Sequence, residues 1–351
     1  MKKVLAIALV LMLVMSMASA AFADGMNIEI VSKGFQHAYW QAVKLGAERK
    51  AEELGVTVNF VGPANESAYD EQLQQLNNAI AANPAAIGLA ALSTETCLDA
   101  IADAQAKGLP IIGFDSGVPN APEGAIYANA ATDNYAAGAK AAEEVYKAIQ
   151  ARVAAAEGNV RIGVSAQDNV SESVTLRGLG FIDKMGELLA ADGFSVKLEG
   201  DTFYVSTAKV ESDDNAKVII ETLVPAQVTS ELSLIDCNTL LSKDDIIAIY
   251  GSNQHSAEAI VSANENLQVC GTGENDVIAA GFDSGAVILA AVREGVFLGA
   301  ITQAPVAMGE KVVELCVAAA NGEPVEDVDT GCQWYTAENM DDPEIAPNLY
   351  E

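Results

Sequence analysis

The sequence predicts an α/β protein of two lobes, each built on a parallel sheet, and three observations carry that reading. The first is a repeat: Gly113-Phe114-Asp115-Ser116-Gly117 recurs letter for letter as Gly281-Phe282-Asp283-Ser284-Gly285. The second is what precedes each copy. Pro110-Ile111-Ile112 and Val277-Ile278-Ala279-Ala280 are short apolar runs, and such a run ended by turn residues reads as a strand buried in a parallel sheet. The third is a steady alternation of strand-like and helix-like segments from Met26 onward, which argues for parallel sheets with helices on both faces. Each pentapeptide thus puts an aspartate at the carboxyl end of a strand, where ligands bind in open α/β sheets. Two equivalent halves suggest two lobes facing one ligand, although Gly, Asp and Ser also suit a plain turn.

In the first half the strand-like runs are 28–31, 56–61, 86–89, 109–114 and 125–127. Between them, 39–54 carries apolar residues at 39, 43, 47, 51 and 54, one face of a helix. Segments 70–82 and 95–106 behave alike, and Gly55 and Gly108 are natural helix stops. The second half continues with a helix over 133–156, a strand 160–164, a helix 173–189, a strand 195–199 and a helix 215–223. A strand 246–250, a helix 255–263, a strand 277–282 and a helix 286–294 follow. The section 225–245 reads as an enlarged loop. A run at 299–302, a helix 305–319 and a strand at 333–336 close the chain, and no low-complexity linker marks a border between the lobes.

The first residues read as an export signal. Lys2 and Lys3 precede an apolar stretch over 4–14, and Ala18-Ser19-Ala20 and Ala21-Phe22-Ala23 both fit small-x-small cleavage. The stretch is short for a membrane span, which takes about 20 residues. No cysteine near it offers a lipid anchor, so the expected location is periplasmic or extracellular. The 351 residues exceed one compact core and fit two domains. A formal charge of -30 repels nucleic acid and anionic lipid, and says nothing of a neutral ligand. The five cysteines match no metal motif, and no cofactor or metal is implied. Cys97 and Cys316 read as inert buried thiols; Cys237 and Cys270 flank a strand and are a possible pair.

Several stretches, in order, resemble the sugar-binding periplasmic proteins of the ribose-binding type. They are Lys33-Gly34-Phe35-Gln36-His37-Ala38-Tyr39-Trp40, the run from Ala106 to Asp115, and Ala131-Thr132-Asp133-Asn134. Arg177-Gly178-Leu179-Gly180-Phe181, Tyr250-Gly251-Ser252-Asn253, Gly281-Phe282-Asp283, Thr302-Gln303-Ala304-Pro305 and Met308-Gly309 complete the series. The resemblance covers nearly all of the chain after the signal. It implies two Rossmann-like lobes joined by a three-crossover hinge, the type I periplasmic-binding fold, with a monosaccharide held in the cleft and passed to an ABC-class permease. By that likeness 26–132 with 304–329 form the first lobe and 133–303 with 330–351 the second. The protein is then a monomer with no membrane insertion and no nucleic-acid partner.

A sugar offers hydroxyls that both donate and accept around apolar C–H faces. Carboxylates accept firmly from hydroxyls, and Arg or Asn donates. By resemblance Asp115 and Asp283 are the two cleft acceptors, Arg177 the main donor at a helix start, and Asn253 and Gln303 the amide positions. Their plain alternatives are turn caps, a surface ion pair and helix caps. Tyr39 and Trp40 match the family's aromatic pair, able to cover an apolar sugar face, but both also fit the buried stripe of the first helix. His37 stands where relatives carry Asn. Two positions depart from the ribose pattern: Ser116 replaces a second Arg, and Gln254 replaces an Asp, which argues against simple transfer of ribose as the ligand.

Three rivals share parts of this reading. A sugar-responsive repressor needs a helix-turn-helix headpiece where this chain has its export signal. A receptor subunit for an autoinducer or inositol, coupled to a signalling partner, would show the same cleft chemistry. A glycosidase needs two carboxyls in unlike environments, whereas Asp115 and Asp283 lie in identical turns. No nucleophile elbow and no G-x-G-x-x-G run is present, so an enzyme is not expected.

Overall fold

A computed structural model of the chain describes residues 25–35 and 37–351. The expected export signal, residues 1–23, lies outside the described residues. In chain order the elements begin β1 (Asn27–Val31), α1 (Ala38–Leu54), β2 (Thr57–Val61), α2 (Tyr69–Ala82), β3 (Ala86–Leu89), α3 (Leu98–Ala106), β4 (Ile111–Phe114) and β5 (Ile126–Ala131). Next come α4 (Asn134–Ala155), β6 (Val160–Ser165), α5 (Glu172–Ala191), β7 (Val196–Gly200), α6 (Thr202–Thr207), β8 (Val218–Leu223), α7 (Ser230–Leu241), β9 (Ile246–Gly251), α8 (Gln254–Leu267), β10 (Ile278–Phe282), α9 (Ala286–Arg293) and β11 (Phe297–Gln303). The chain closes with α10 (Pro305–Ala320), β12 (Val328–Asp329), β13 (Cys332–Tyr335) and a single 3-10 turn, Ala346–Asn348. No helix among the described residues is long and apolar enough to cross a membrane.

These elements form two compact units. One holds the described residues up to Ala91 with Thr96–Ala130 and Pro305–Val328; the other holds Leu92–Glu95, Ala131–Ala304 and Asp329–Glu351. The first is organised on a sheet of order β12-β5-β4-β3-β1-β2, the second on a sheet of order β13-β11-β10-β9-β6-β8-β7. Pairings from β1 to β5 and from β6 to β11 are parallel. Strand β13 runs antiparallel on β11. The central strands β3, β4, β6, β9 and β10 are buried at every residue, as strands covered on both faces must be. The α/β class predicted from the repeat and the alternation is therefore the class observed.

Each unit also contains a pair of helices that touch backbone to backbone. A Cβ at Gly46 of α1 would collide with the Val306 carbonyl of α10, and one at Gly309 of α10 with the Val43 carbonyl of α1. In the second unit a Cβ at Gly138 of α4 would strike the Arg177 carbonyl of α5, and one at Gly180 the Tyr135 carbonyl. The glycines are there because nothing larger fits between these axes.

Three expectations need correction. Segment 215–223, read as a helix, holds β8 instead. Its Val218-Ile219-Ile220 run is β-branched, stiff at χ1, and lies buried between β6 and β7, paired to both. The supposed loop 225–245 contains α7, opened by Thr229, whose side chain accepts from the Leu232 N–H. Cys237 and Cys270 do not pair; all five cysteines are free. The Cys237 sulfur is fully buried, 3.5 Å from Ser165 Oγ. Burial pushes the Cys97 thiol up to about 11 and those of Cys237 and Cys270 up to about 12.

Candidate ligand-binding residues

The two copies of the pentapeptide fold alike. Asp115 follows β4 with φ 59°, and Asp283 follows β10 with φ 72°. Left-handed backbone is uncommon for a residue with a Cβ and persists where surroundings fix it. In each turn the Asp N–H is donated to the neighbouring strand, Asp115 to the Ala130 carbonyl at 3.1 Å and Asp283 to the Ile301 carbonyl at 2.6 Å. Register thus delivers one carboxylate to the carboxyl edge of each sheet.

In the first unit the carboxylate of Asp115 is buried. Its Oδ1 accepts from the Tyr39 hydroxyl at 2.6 Å, and its Oδ2 lies 3.7 Å from Lys33 Nζ. Trp40, also buried, donates its indole N–H to Glu66 Oε1 at 2.9 Å, and Lys33 Nζ is 4.0 Å from Glu66 Oε2. The Trp40 ring meets Tyr39 edge-on at 4.9 Å and Phe114 at 6.2 Å. Tyr39 and Trp40 are therefore both core residues of α1 and partners of carboxylates: the apolar bodies pack and the polar tips are used. Ser116 is fully buried beside Asp115, with its carbonyl accepting from the Ala91 N–H at 3.0 Å. His37 is exposed at the start of α1 and makes no side-chain capping bond.

In the second unit four of the expected residues meet at one carboxylate. Asp283 Oδ1 accepts from Gln303 Nε2 at 2.6 Å; Oδ2 accepts from the Gln254 backbone N–H at 3.2 Å and lies 3.6 Å from an Arg177 terminal nitrogen. Arg177 sits inside α5 rather than at its start. Its Nε donates to Asn134 Oδ1 at 2.7 Å, and its guanidinium carbon is 3.9 Å from the centre of the Phe282 ring. The Gln254 side chain turns away along α8 and donates to Glu258 at 2.8 Å, so its contribution to Asp283 is the main-chain N–H. Asn253 does two things: Oδ1 accepts from the Ser256 N–H and caps α8, while Nδ2 donates to Gln167 Oε1 at 2.8 Å. Gln167 in turn donates to Asp168, whose other oxygen accepts the Val170 and Ser171 N–H groups ahead of α5.

Eight buried side-chain polar atoms have no hydrogen-bond partner among the described residues, and five of them fall in this region: Tyr250 OH, Ser252 Oγ, Gln254 Oε1, Ser256 Oγ and Gln303 Oε1. A buried polar atom left unpaired is costly, and native structures seldom keep one without a use. Tyr250 stacks on Phe181 at 4.4 Å with planes 8° apart, which fixes where its hydroxyl points.

Five residues of these networks carry no role in the sequence reading: Lys33, Glu66, Asn134, Gln167 and Asp168. Lys33 and Asn134 stand within the quoted stretches, so their neighbourhood was legible. Glu66 follows β2 and Asp168 follows β6 in loops whose only local signal is an acidic residue past a strand.

A parallel α/β unit with acceptors and donors gathered at its strand ends is the architecture of a ligand-binding protein. The chain belongs to the family described as periplasmic binding protein domain, whose model matches residues 28–324. It is similar over 94% of its length, at 34% identity and a TM-score of 0.78, to the ABC transporter, LacI family transcriptional regulator from Brachyspira murdochii, and spans 99% of that chain. The carbohydrate transporter solute binding protein from Agrobacterium radiobacter, solved with D-arabinose, is 26% identical over 93% of this chain and 99% of that one, with a TM-score of 0.75. The D-allose-binding periplasmic protein of Escherichia coli is 29% identical over 36% of this chain, an overlap that spans only 42% of its own length.

Proposed function

We propose that this chain is an extracytoplasmic substrate-binding protein that captures a monosaccharide and delivers it to an ABC-type importer. The observation that carries the reading is the set around Asp283. A carboxylate, a planar guanidinium and amides supply both acceptors and donors, and the unpaired oxygens of Gln303 and Tyr250 stand within the same few residues. Hydroxyls that donate and accept suit such a set; an anion would face the buried Asp283 carboxylate. The relatives whose names speak of sugars, and the one solved with D-arabinose, support the same ligand class.

In this reading Asp283, Arg177, Asn253 and Gln303 make the polar contacts from the second unit, with Gln254 acting through its main chain. Asp115, Ser116, Tyr39 and Trp40 are the candidates of the first unit, with Lys33 beside Asp115 and His37 exposed at the start of α1. The protein works by binding rather than turnover, as a monomer, with the segment 1–23 directing export. Isothermal titration against pentoses, hexoses, their alcohols, inositol and amino acids tests it. A monosaccharide bound at micromolar or tighter affinity is the expected result, and binding of a carboxylate or peptide alone refutes it.

A further inference from the structure

The last residue of β13 and the segment after it return to the second pentapeptide and bond to it from the Asp283 carbonyl through Gly285. The Tyr335 hydroxyl donates to the Asp283 carbonyl at 2.9 Å. Tyr350, itself buried, meets the two residues that follow. Its N–H donates to Ser284 Oγ at 3.0 Å, its carbonyl accepts from the Gly285 N–H at 2.8 Å, and its hydroxyl oxygen accepts from the Ser284 N–H at 3.4 Å. The strap is itself anchored: Thr302 Oγ1 donates to the Asn348 carbonyl at 2.8 Å, and Asn348 Nδ2 donates to Gln333 Oε1 at 2.8 Å.

These bonds fall on a backbone that needs them. Asp283 has φ 72° and Gly285 φ 103°, and a left-handed aspartate relaxes toward commoner conformations unless neighbours over-determine it. Rotation of that backbone would swing the carboxylate away from Gln303, the Gln254 N–H and Arg177. The Tyr350 ring supplies the burial that keeps the strap seated, and its main chain supplies two of the three bonds.

We propose that Tyr350 is a positioning residue for sugar binding: it seats the segment 346–350 against Ser284 and Gly285 and so sets the orientation of the Asp283 carboxylate. The inference rests on the binding function proposed above. The test uses the full chain as wild type, Tyr350→Ala, Tyr350→Phe and Ser284→Ala. Affinity is titrated with D-arabinose, or with whichever pentose, hexose or polyol the wild type binds, alongside melting temperature and amide exchange at Gly285.

Tyr350→Ala should bind at least about tenfold more weakly, a loss of about 1.4 kcal/mol in binding, and should lose protection at the Gly285 amide. Tyr350→Phe keeps the ring and both main-chain bonds and should remain within about threefold of wild type. Should Tyr350→Ala not fold, Ser284→Ala decides: it removes only the acceptor for the Tyr350 N–H and should weaken binding severalfold with the melting temperature retained. Unchanged affinity despite lost Gly285 protection, or in a folded Ser284→Ala, overturns the positioning role alone. A wild type that binds no sugar overturns the binding reading and this role with it, and the exchange data still report whether the strap is formed.

Discussion

The Arg177 guanidinium lies 3.9 Å over the ring of Phe282, the residue immediately before Asp283. One β-strand end therefore supplies both the acceptor and the aromatic shelf on which its cationic neighbour rests. Arg177 is buried, and burying a charge is costly unless it is paired and bonded. Here the Asp283 carboxylate, the Asn134 oxygen and the π face share that task.

Replacing Arg177 by Lys keeps the charge and removes the planar fork. An ammonium cannot both stack on Phe282 and donate to Asn134 in the same geometry. The expected outcome is a loss of roughly tenfold or more in sugar affinity, measured by isothermal titration. Unchanged affinity would show that charge alone suffices.

Asp283→Asn retains size and removes charge. It should weaken binding by about 1–3 kcal/mol, or ~10- to 100-fold, because an acceptor of hydroxyl hydrogen bonds becomes a weaker one. Asp283→Ala carries a second cost. It strips the buried Arg177 of its carboxylate, so the melting temperature should fall as well. The Asn variant takes the same negative charge from beside Arg177 but keeps an oxygen that can accept from Gln303, so its Tm should fall less than that of the Ala variant, and the difference reads the lost hydrogen bonding.

Gly180→Ala and Gly309→Ala should each destabilise. Alanine gains up to about 1 kcal/mol of helix propensity over glycine, yet each new methyl would meet backbone atoms of the facing helix, which cannot rotate aside. Overpacking of that kind costs about 1–3 kcal/mol or more, so the clash wins. Gly158 has nothing within 4 Å of a built Cβ, and Gly158→Ala is the control, expected within about 0.5 kcal/mol of wild type. Urea unfolding reads all three.

Stability should also fall in acid through an ion ladder on the second sheet. Arg161 donates to Glu199 at 2.8 Å, Glu221 at 2.6 Å and Asp245 at 3.0 Å. The Arg161 hydrogen bond holds the Glu199 carboxyl below its ordinary value of 4.5, against partial desolvation. A folded pKa lower than the unfolded one means that the contribution is complete above about pH 4.5 and lost as pH drops through the folded value. Glu199 is partly exposed, so the effect should be under about 1 kcal/mol. The stability gap between wild type and Glu199→Gln, followed by denaturation from pH 6 to pH 3, should close on acidification; a gap that widens would reverse the assignment.

The parts of this molecule that were legible in sequence are those fixed by local pattern. The pentapeptide repeat announced two equivalent turns, because a strand end and a left-handed turn leave the same letters each time. Strand β8 was not legible, since the polar stretch before Val218 imitates a helix start and only pairing with β6 and β7 decides the matter. Helix α7 hid for a related reason: its apolar residues surround the axis, with Ile235 exposed while Leu240 and Leu241 are buried. Among site residues, Asp115 and Asp283 stood out through the repeat, whereas the pairing of Lys33 with Asp115 and of Trp40 with Glu66 joins segments distant in sequence. No local pattern encodes such a meeting.

The reciprocal glycines between α1 and α10, and between α4 and α5, leave backbone resting on backbone. Side chains interposed between helices act as springs, since rotamers can absorb small displacements; at these four glycines backbone meets backbone instead. Tyr39 and Trp40 ride on α1 and Arg177 on α5, so main-chain contacts limit how closely these residues approach α10 and α4. If the proposed site holds, its chemistry is open to adjustment at side chains and closed to adjustment at these four glycines, where a single methyl would displace the helix that carries Tyr39 and Trp40 or Arg177 rather than merely crowd it.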